Sequence, residues 1–153
     1  MAQFDTDETK LIEKFLDEFG SNWEGVAKAG LWEGASVMKD GIEAEIDALP
    51  TVSDRYYFGR MIPLYALRES EKKGLKDGLR IFKMESTGNG VSVSIGFADY
   101  NDRKVANTLI ARSLVKGTSV QKPNNFVKRG FKRSEQKRIK AICDKIYSIP
   151  IKK

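Results

Sequence analysis

Histidine is absent from this chain of 153 residues, and cysteine occurs once, at Cys143. Without histidine there is no serine-histidine or cysteine-histidine nucleophilic site. The commonest general base and a major zinc ligand are missing with it. One cysteine builds neither an all-cysteine metal site nor an intramolecular disulfide, which suits a reducing cytoplasm. No stretch approaches the roughly 20 apolar residues of a membrane span, and Met1 to Lys10 is too polar and acidic for a signal peptide. The glycine signatures of phosphate sites are missing too, since Gly88-Asn89-Gly90 lies between strand-like runs and not ahead of a helix. The expectation is a protein with no cofactor, no metal and no catalytic site.

What the chain does have is charge, unevenly placed. The whole carries 27 Lys or Arg against 21 Asp or Glu, a formal net charge of +6. Residues 122–153 hold eleven Lys or Arg against Glu135 and Asp144, a net +9, while residues 1–54 hold thirteen acids against four lysines, a net −9. Such a molecule can dock copies of itself head to tail, hold an acidic partner, or bind phosphate. Apolar content of 41% and charged content of 31% are those of an ordinary globular protein, and the length fits one domain with a real core.

The hydrophobic pattern supplies the elements. Thr6 to Phe19 reads as a short amphipathic helix with Leu11, Ile12, Phe15, Leu16 and Phe19 on one stripe and Gly20 as its stop. A longer helix is predicted from Trp23 to Ala48, with Leu31, Ala35, Met38, Ile42, Ile46 and Leu49 inward and Pro50 ending it. Gly25, Gly30, Gly34 and Gly41 each cost that helix about 0.8–1 kcal/mol relative to alanine, so they read either as points of close packing or as tolerated surface glycines. Thr51 to Lys73 loses the periodicity but contains Tyr56, Tyr57 and Phe58, with Pro63 against a straight helix. It is read as an irregular flap over the core or as a contact arm for a partner.

Leu79 to Glu85 and Val91 to Ala98 flank Gly88-Asn89-Gly90 and predict a hairpin. Val91, Val93, Ile95 and Phe97 share one face of its second strand. A short helix is expected from Arg103 to Val115 with Val105, Leu109, Ile110 and Leu114 inward, broken by Gly117-Thr118. A last helix runs from about Asn125 to Ser148 with Ile139, Ile142, Cys143 and Ile146 as its apolar stripe, so Cys143 reads as a small core residue. The fold class is α+β: a small antiparallel sheet, with a central hairpin over about 79–98, packed on amphipathic helices.

The order of elements, together with Val115-Lys116-Gly117-Thr118 and the run from Lys122 through Pro123 and Phe126 to Phe131, resembles the head-to-tail joining or tail completion proteins of tailed bacteriophages, also described as neck or virion morphogenesis proteins. Leu75, Gly78, Leu79 and Ile81 are similar to that family's approach to its first strand, although Lys73-Gly74-Leu75 stands where the family usually has Thr-Gly-x-Leu. The resemblance implies a structural protein of the virion, assembled in the host cytoplasm into a cyclic ring between head and tail. Its partners would be copies of itself, portal, adaptor or stopper proteins, and tail tube proteins, with incidental contact to packaged DNA. A ring needs a heterologous interface, one face of a protomer against a different face of the next, and opposite charge at the two ends would set its polarity. The interface candidates are Gly117, Thr118, Pro123, Phe126, Phe131, the cations Lys128, Arg129, Lys132 and Arg133, and the aromatic stretch Tyr56-Tyr57-Phe58.

Two other readings were open on sequence. The basic last helix, from Lys128 to Lys145, offers the electrostatic footprint of a small nucleic-acid-binding protein, but its charges spread round the helix and no recognised motif accompanies them. A carboxylate-based nuclease could use Asp77, Lys83 and Glu85, which read more simply as a polar strand edge.

Overall fold

The computed structural model describes residues 20–52, 67–88, 90–118 and 123–150; the helix expected at 6–19 and the stretch holding Tyr56, Tyr57 and Phe58 lie outside the described residues. Four helices and three two-stranded pairings make up the described part, an α+β architecture with a small antiparallel sheet.

The longest element is α1, Trp23–Asp47, entered through a tight turn at Gly20–Asn22. Its periodic apolar residues behave as their spacing dictates: Ala35, Ile42 and Ile46 are buried, and Leu49 is buried just past the helix end. Thr51–Val52 (β1) then pairs in parallel with Leu67–Arg68 (β2), which leads directly into α2, Glu69–Gly78. This helix takes up residues 69–73, expected from the sequence to belong to an irregular flap or a contact arm. Its only large apolar residue is the buried Leu75, so it carries almost no periodic signal. Tertiary bonds hold it instead. Glu71 accepts a hydrogen bond from the Arg68 N–H (3.0 Å), and Lys72 Nζ donates to the carbonyls of Asp47 (2.7 Å) and Leu49 (2.9 Å), satisfying carbonyls at the end of α1.

The hairpin is present, in two registers. Leu79–Ile81 (β3) pairs with Ile95–Phe97 (β6), Leu79 opposite Phe97; Glu85–Thr87 (β4) pairs with Gly90–Ser92 (β5), Glu85 opposite Ser92. Between the two pairings three residues, Phe82, Lys83 and Met84, face two, Val93 and Ser94, with Phe82 N–H donating to Ser94 O at 2.8 Å. One extra residue on the first strand is a bulge, which bends the ribbon and shifts its alternation. The second strand keeps the alternation its sequence predicts: Val91, Val93, Ile95 and Phe97 are partly buried, Ser92 and Ser94 exposed.

Helix α3 spans Asn107–Lys116 and begins four residues later than its apolar pattern suggests. Ile110 and Leu114 are buried as expected, with Ala111 beside them, but Val105 and Leu109 are exposed. The reason is the loop before it. The buried Asn101 accepts bonds from the N–H groups of Arg103 and Val105 (both 3.0 Å), and buried Asn107 donates to Ala98 O at 2.9 Å. These local bonds give the backbone an alternative to an earlier helical turn.

The last helix, α4, spans Phe126–Ser148 and lies antiparallel to α1. The core is held among α1, α2, the β3–β6 pair, α3 and the start of α4, around Ile42, Ile46, Leu75, Leu114 and Phe126.

Candidate functional site

The segment that carries the motif residues is a joint. Gly117 ends α3 at φ +76°, a conformation that suits glycine, and its N–H closes on Ser113 O at 2.8 Å. Asn124 N–H then donates back to Leu114 O at 2.7 Å, and the Asn125 side chain caps α4 by accepting from Lys128 N–H at 3.0 Å. Phe126, the first residue of α4, is completely buried, with its ring 5.9 Å from that of Phe97 on β6 and tilted by 60°. Gly117 and Phe126 are therefore framework, and Thr118 and Pro123 lie exposed at the surface of the joint.

Phe131, an interface candidate from the sequence, is not buried with Phe126. It is 42% exposed, because about 1.4 turns beyond Phe126 the side chain has rotated off the core. Its ring instead underlies the Arg138 guanidinium, 3.9 Å from the ring centroid.

The face of α4 toward α1 is small at its N-terminal end, where Gly130 and Ser134 lie. A Cβ on Gly130 would stand 2.7 Å from Ile42 Cα, and one on Gly41 would stand 2.8 Å from Gly130 O and 3.0 Å from Ser134 Cβ. Further along, Gly34 lies against Ile142 and Arg138, and Gly30 against Ile146 and Ile142. Three of the four α1 glycines thus mark close packing. Gly25, near the Asn22 side chain alone, does not.

This close approach turns α4 relative to its expected stripe. Ile142 and Ile146 are partly buried, but Ile139 is 54% exposed and Cys143 is exposed, which corrects the core role read for that cysteine. Ile139, Cys143 and the 78% exposed Tyr147 recur every four residues and form an apolar stripe on the side of α4 away from α1. Lys128 and Lys132 continue the same side toward the N-terminus, exposed and without an ion pair among the described residues.

The other two predicted cations are engaged within the molecule. Arg129 and Arg133 both reach Glu45 of α1, at 2.7 and 3.5 Å, and Glu45 is only 13% exposed. Lys145 stands 3.9 Å from Glu33. The sequence showed acid and base segregated along the chain; in the fold, the acidic and basic helices lie side by side and partly neutralise each other.

Behind α4, an open apolar groove of about 170 Å³ is lined by Leu31, Ala35 and Met38 of α1, Val93 and Ile95 of the hairpin, and Phe131, Arg138 and Ile142 of α4. Neither this groove nor the exposed stripe was singled out from the sequence. The signal for the groove was the surplus of apolar residues on both helices over what a single buried face needs.

Among the described residues no cluster of three or more Asp, Glu or Cys could hold a metal ion, and no helix is long and apolar enough to cross a membrane. Protein-family models, curated proteins and solved structures give no match to this chain.

Proposed function

We propose that this chain is a structural protein of a tailed-bacteriophage virion that assembles into a ring and joins the head to the tail. The observation that carries the assembly reading is the free side of α4. Ile139, Cys143 and Tyr147 form an exposed apolar stripe at helical spacing, and Lys128 and Lys132 extend it. An exposed apolar strip with a charged margin fits a protein partner. Asp40 and Glu43 on α1, away from the glycine face that meets α4, offer the complementary acidic side. A basic side on one helix and an acidic side on another give the two unlike faces that a cyclic, heterologous contact requires. The order of elements and the Gly117-Thr118 to Pro123-x-x-Phe126 joint narrow the assembly to head–tail joining, through the resemblance alone.

The rival reading, nucleic-acid binding, draws on the cations of α4. Arg129, Arg133 and Lys145 are already paired within the protomer, and Arg138 lies over Phe131, so the footprint left for phosphate is smaller than the sequence count.

The test reverses Lys128, Lys132 and Lys140 to glutamate together. These three are exposed and, among the described residues, free of internal ion pairs, so the variant is expected to fold. Arg129 and Arg133 stay untouched, because their reversal would place like charge against Glu45. Expected outcomes are loss of ring formation by sedimentation or electron microscopy, loss of head–tail joining in an in vitro assay, and weak wild-type affinity for duplex DNA that fades with salt. Tight, salt-resistant or sequence-selective DNA binding by the wild type, with joining untouched by the three changes, would overturn the proposal.

A further inference from the structure

The side of α1 that points away from α4 carries an exposed anchor of its own. Trp32 is 47% exposed. It stands two residues from both Gly30 and Gly34, which pack on α4, and so about 200° round the helix from that contact. Tryptophan is among the residues most enriched at the centres of protein interfaces. Glu43 lies on the same side of α1, because it is eleven residues further on, about three turns or about 16 Å along the axis. Ser36 and Lys39 stand between the two.

The free side of α4 repeats this spacing with the opposite charge. Cys143 is the middle of its apolar stripe, with Ile139 and Tyr147 one turn to either side, and Lys132 lies eleven residues before it. Laid antiparallel, the two faces match over about 16 Å. Trp32 comes opposite Cys143, Ser36 opposite Ile139, and Glu43 opposite Lys132, while Lys39 comes beside Glu135. The parallel direction has no such match, since with Trp32 at Cys143 it carries Glu43 beyond the end of α4 at Ser148.

These faces lie on opposite outer sides of the α1–α4 pair, so they meet only between copies. Two α4 stripes are a poor match for each other, because that helix carries eight Lys or Arg against Glu135 and Asp144 and repels its own copy. Pairing unlike faces leaves one of each kind free at the ends, and the contact repeats until it closes.

We infer that the outer face of α1 in one copy, anchored by Trp32, seats antiparallel on the free side of α4 in the next, with Glu43 on Lys132. The contact rests on the self-assembly proposed above and gives it a register; it does not depend on where in a virion the assembly stands.

Mixing two disabled chains tests it. Trp32→Lys spoils the α1 face, and Ile139→Lys with Tyr147→Lys spoils the α4 face; all three side chains are exposed, and circular dichroism checks that both variants fold. Each variant alone should sediment as a monomer. Their equimolar mixture should give one-to-one dimers, because one intact face of each kind remains and the spoiled faces repel. As an independent arm, Glu43→Lys should abolish rings, and adding Lys132→Glu to the same chain should restore them. If wild type forms rings but pure Trp32→Lys still assembles, the mixture stays monomeric, or the charge swap restores nothing, this contact is overturned while the ring reading stands. A wild type that remains monomeric takes both down.

Discussion

Gly130→Ala is the sharpest perturbation of the α1–α4 pair, because the added methyl meets backbone. Its Cβ would stand 2.7 Å from Ile42 Cα, 2.9 Å from Ile42 N and 3.0 Å from Gly41 C. Ordinary contacts between carbon atoms lie at about 3.5–4.0 Å, so the helices must separate by about an ångström where no side chain can rotate away. Overpacking costs about 1–3 kcal/mol, and an obstacle made of main chain belongs at the upper end. Alanine returns about 0.8–1 kcal/mol through better helix propensity. The net is a loss of about 2 kcal/mol, or a fall of about 4–8 °C in Tm for a chain of this size. Gly25→Ala is the internal control. There the nearest atom is Asn22 Oδ1 at 3.1 Å, on a side chain that makes no capping bond and can turn aside. The propensity gain should survive, raising Tm by about 2–4 °C. Thermal unfolding followed by circular dichroism reads both. A Gly130→Ala melt at or above the wild type would refute the close crossing of α1 and α4 described above.

Phe126→Ala should cost about 3–5 kcal/mol, as for any large ring removed from a core, whereas Phe131→Ala should cost about 1 kcal/mol, chiefly the stack with Arg138; chemical denaturation distinguishes the two. Asn107→Ala deletes the bond to Ala98 O from a site 1% exposed and should destabilise by about 1–3 kcal/mol, measurable in the same way. Cys143 should react with a thiol reagent in the native protein as fast as in the unfolded one, and burial-like protection would contradict its position on the free side of α4. Glu24 is held below the usual carboxylate range by hydrogen bonds from Lys28 and then Ser86. Its stabilising contribution is therefore present above the unfolded pKa and fades as pH falls through the folded one, and a carboxyl titration by NMR should place Glu24 below a free glutamate.

Strongly periodic stretches were legible from the sequence, and stretches held by tertiary bonds were not. The bounds of α1 and α4 follow from long amphipathic runs ended by Pro50 and begun at Asn125, and the second strand of the hairpin follows from the alternation of Val91, Val93, Ile95 and Phe97. Helix α2 was missed because Leu75 is its single large apolar residue; its termini are fixed by Glu71, Lys72 and Lys76 acting on groups outside the helix. The bulge at Phe82–Met84 and the late start of α3 were equally invisible to periodicity. An unpaired extra residue in a strand pairing, and a loop closed by the short-range side-chain bonds of Asn101 and Asn107, leave no mark in the apolar periodicity.

The candidate site divides on the same physical line. Gly117 and Phe126 make the joint between α3 and α4: one takes a positive φ and the other fills the core. Arg129 and Arg133 looked equivalent to Lys128 and Lys132 in the chain, since a basic run does not show which members will face an acid on another helix. Glu45, standing more than 80 residues earlier, separates them. The exposure of Ile139 and Cys143 has the same cause. Amphipathic periodicity locates a stripe on a helix, but the rotation of that helix is set by where its neighbour approaches most closely. Here Gly130 and Ser134 on α4, meeting Gly41 on α1, fix that point of approach. Half of the nominal core stripe, Ile139 and Cys143, is thereby turned toward the outside, while Ile142 and Ile146 stay partly buried.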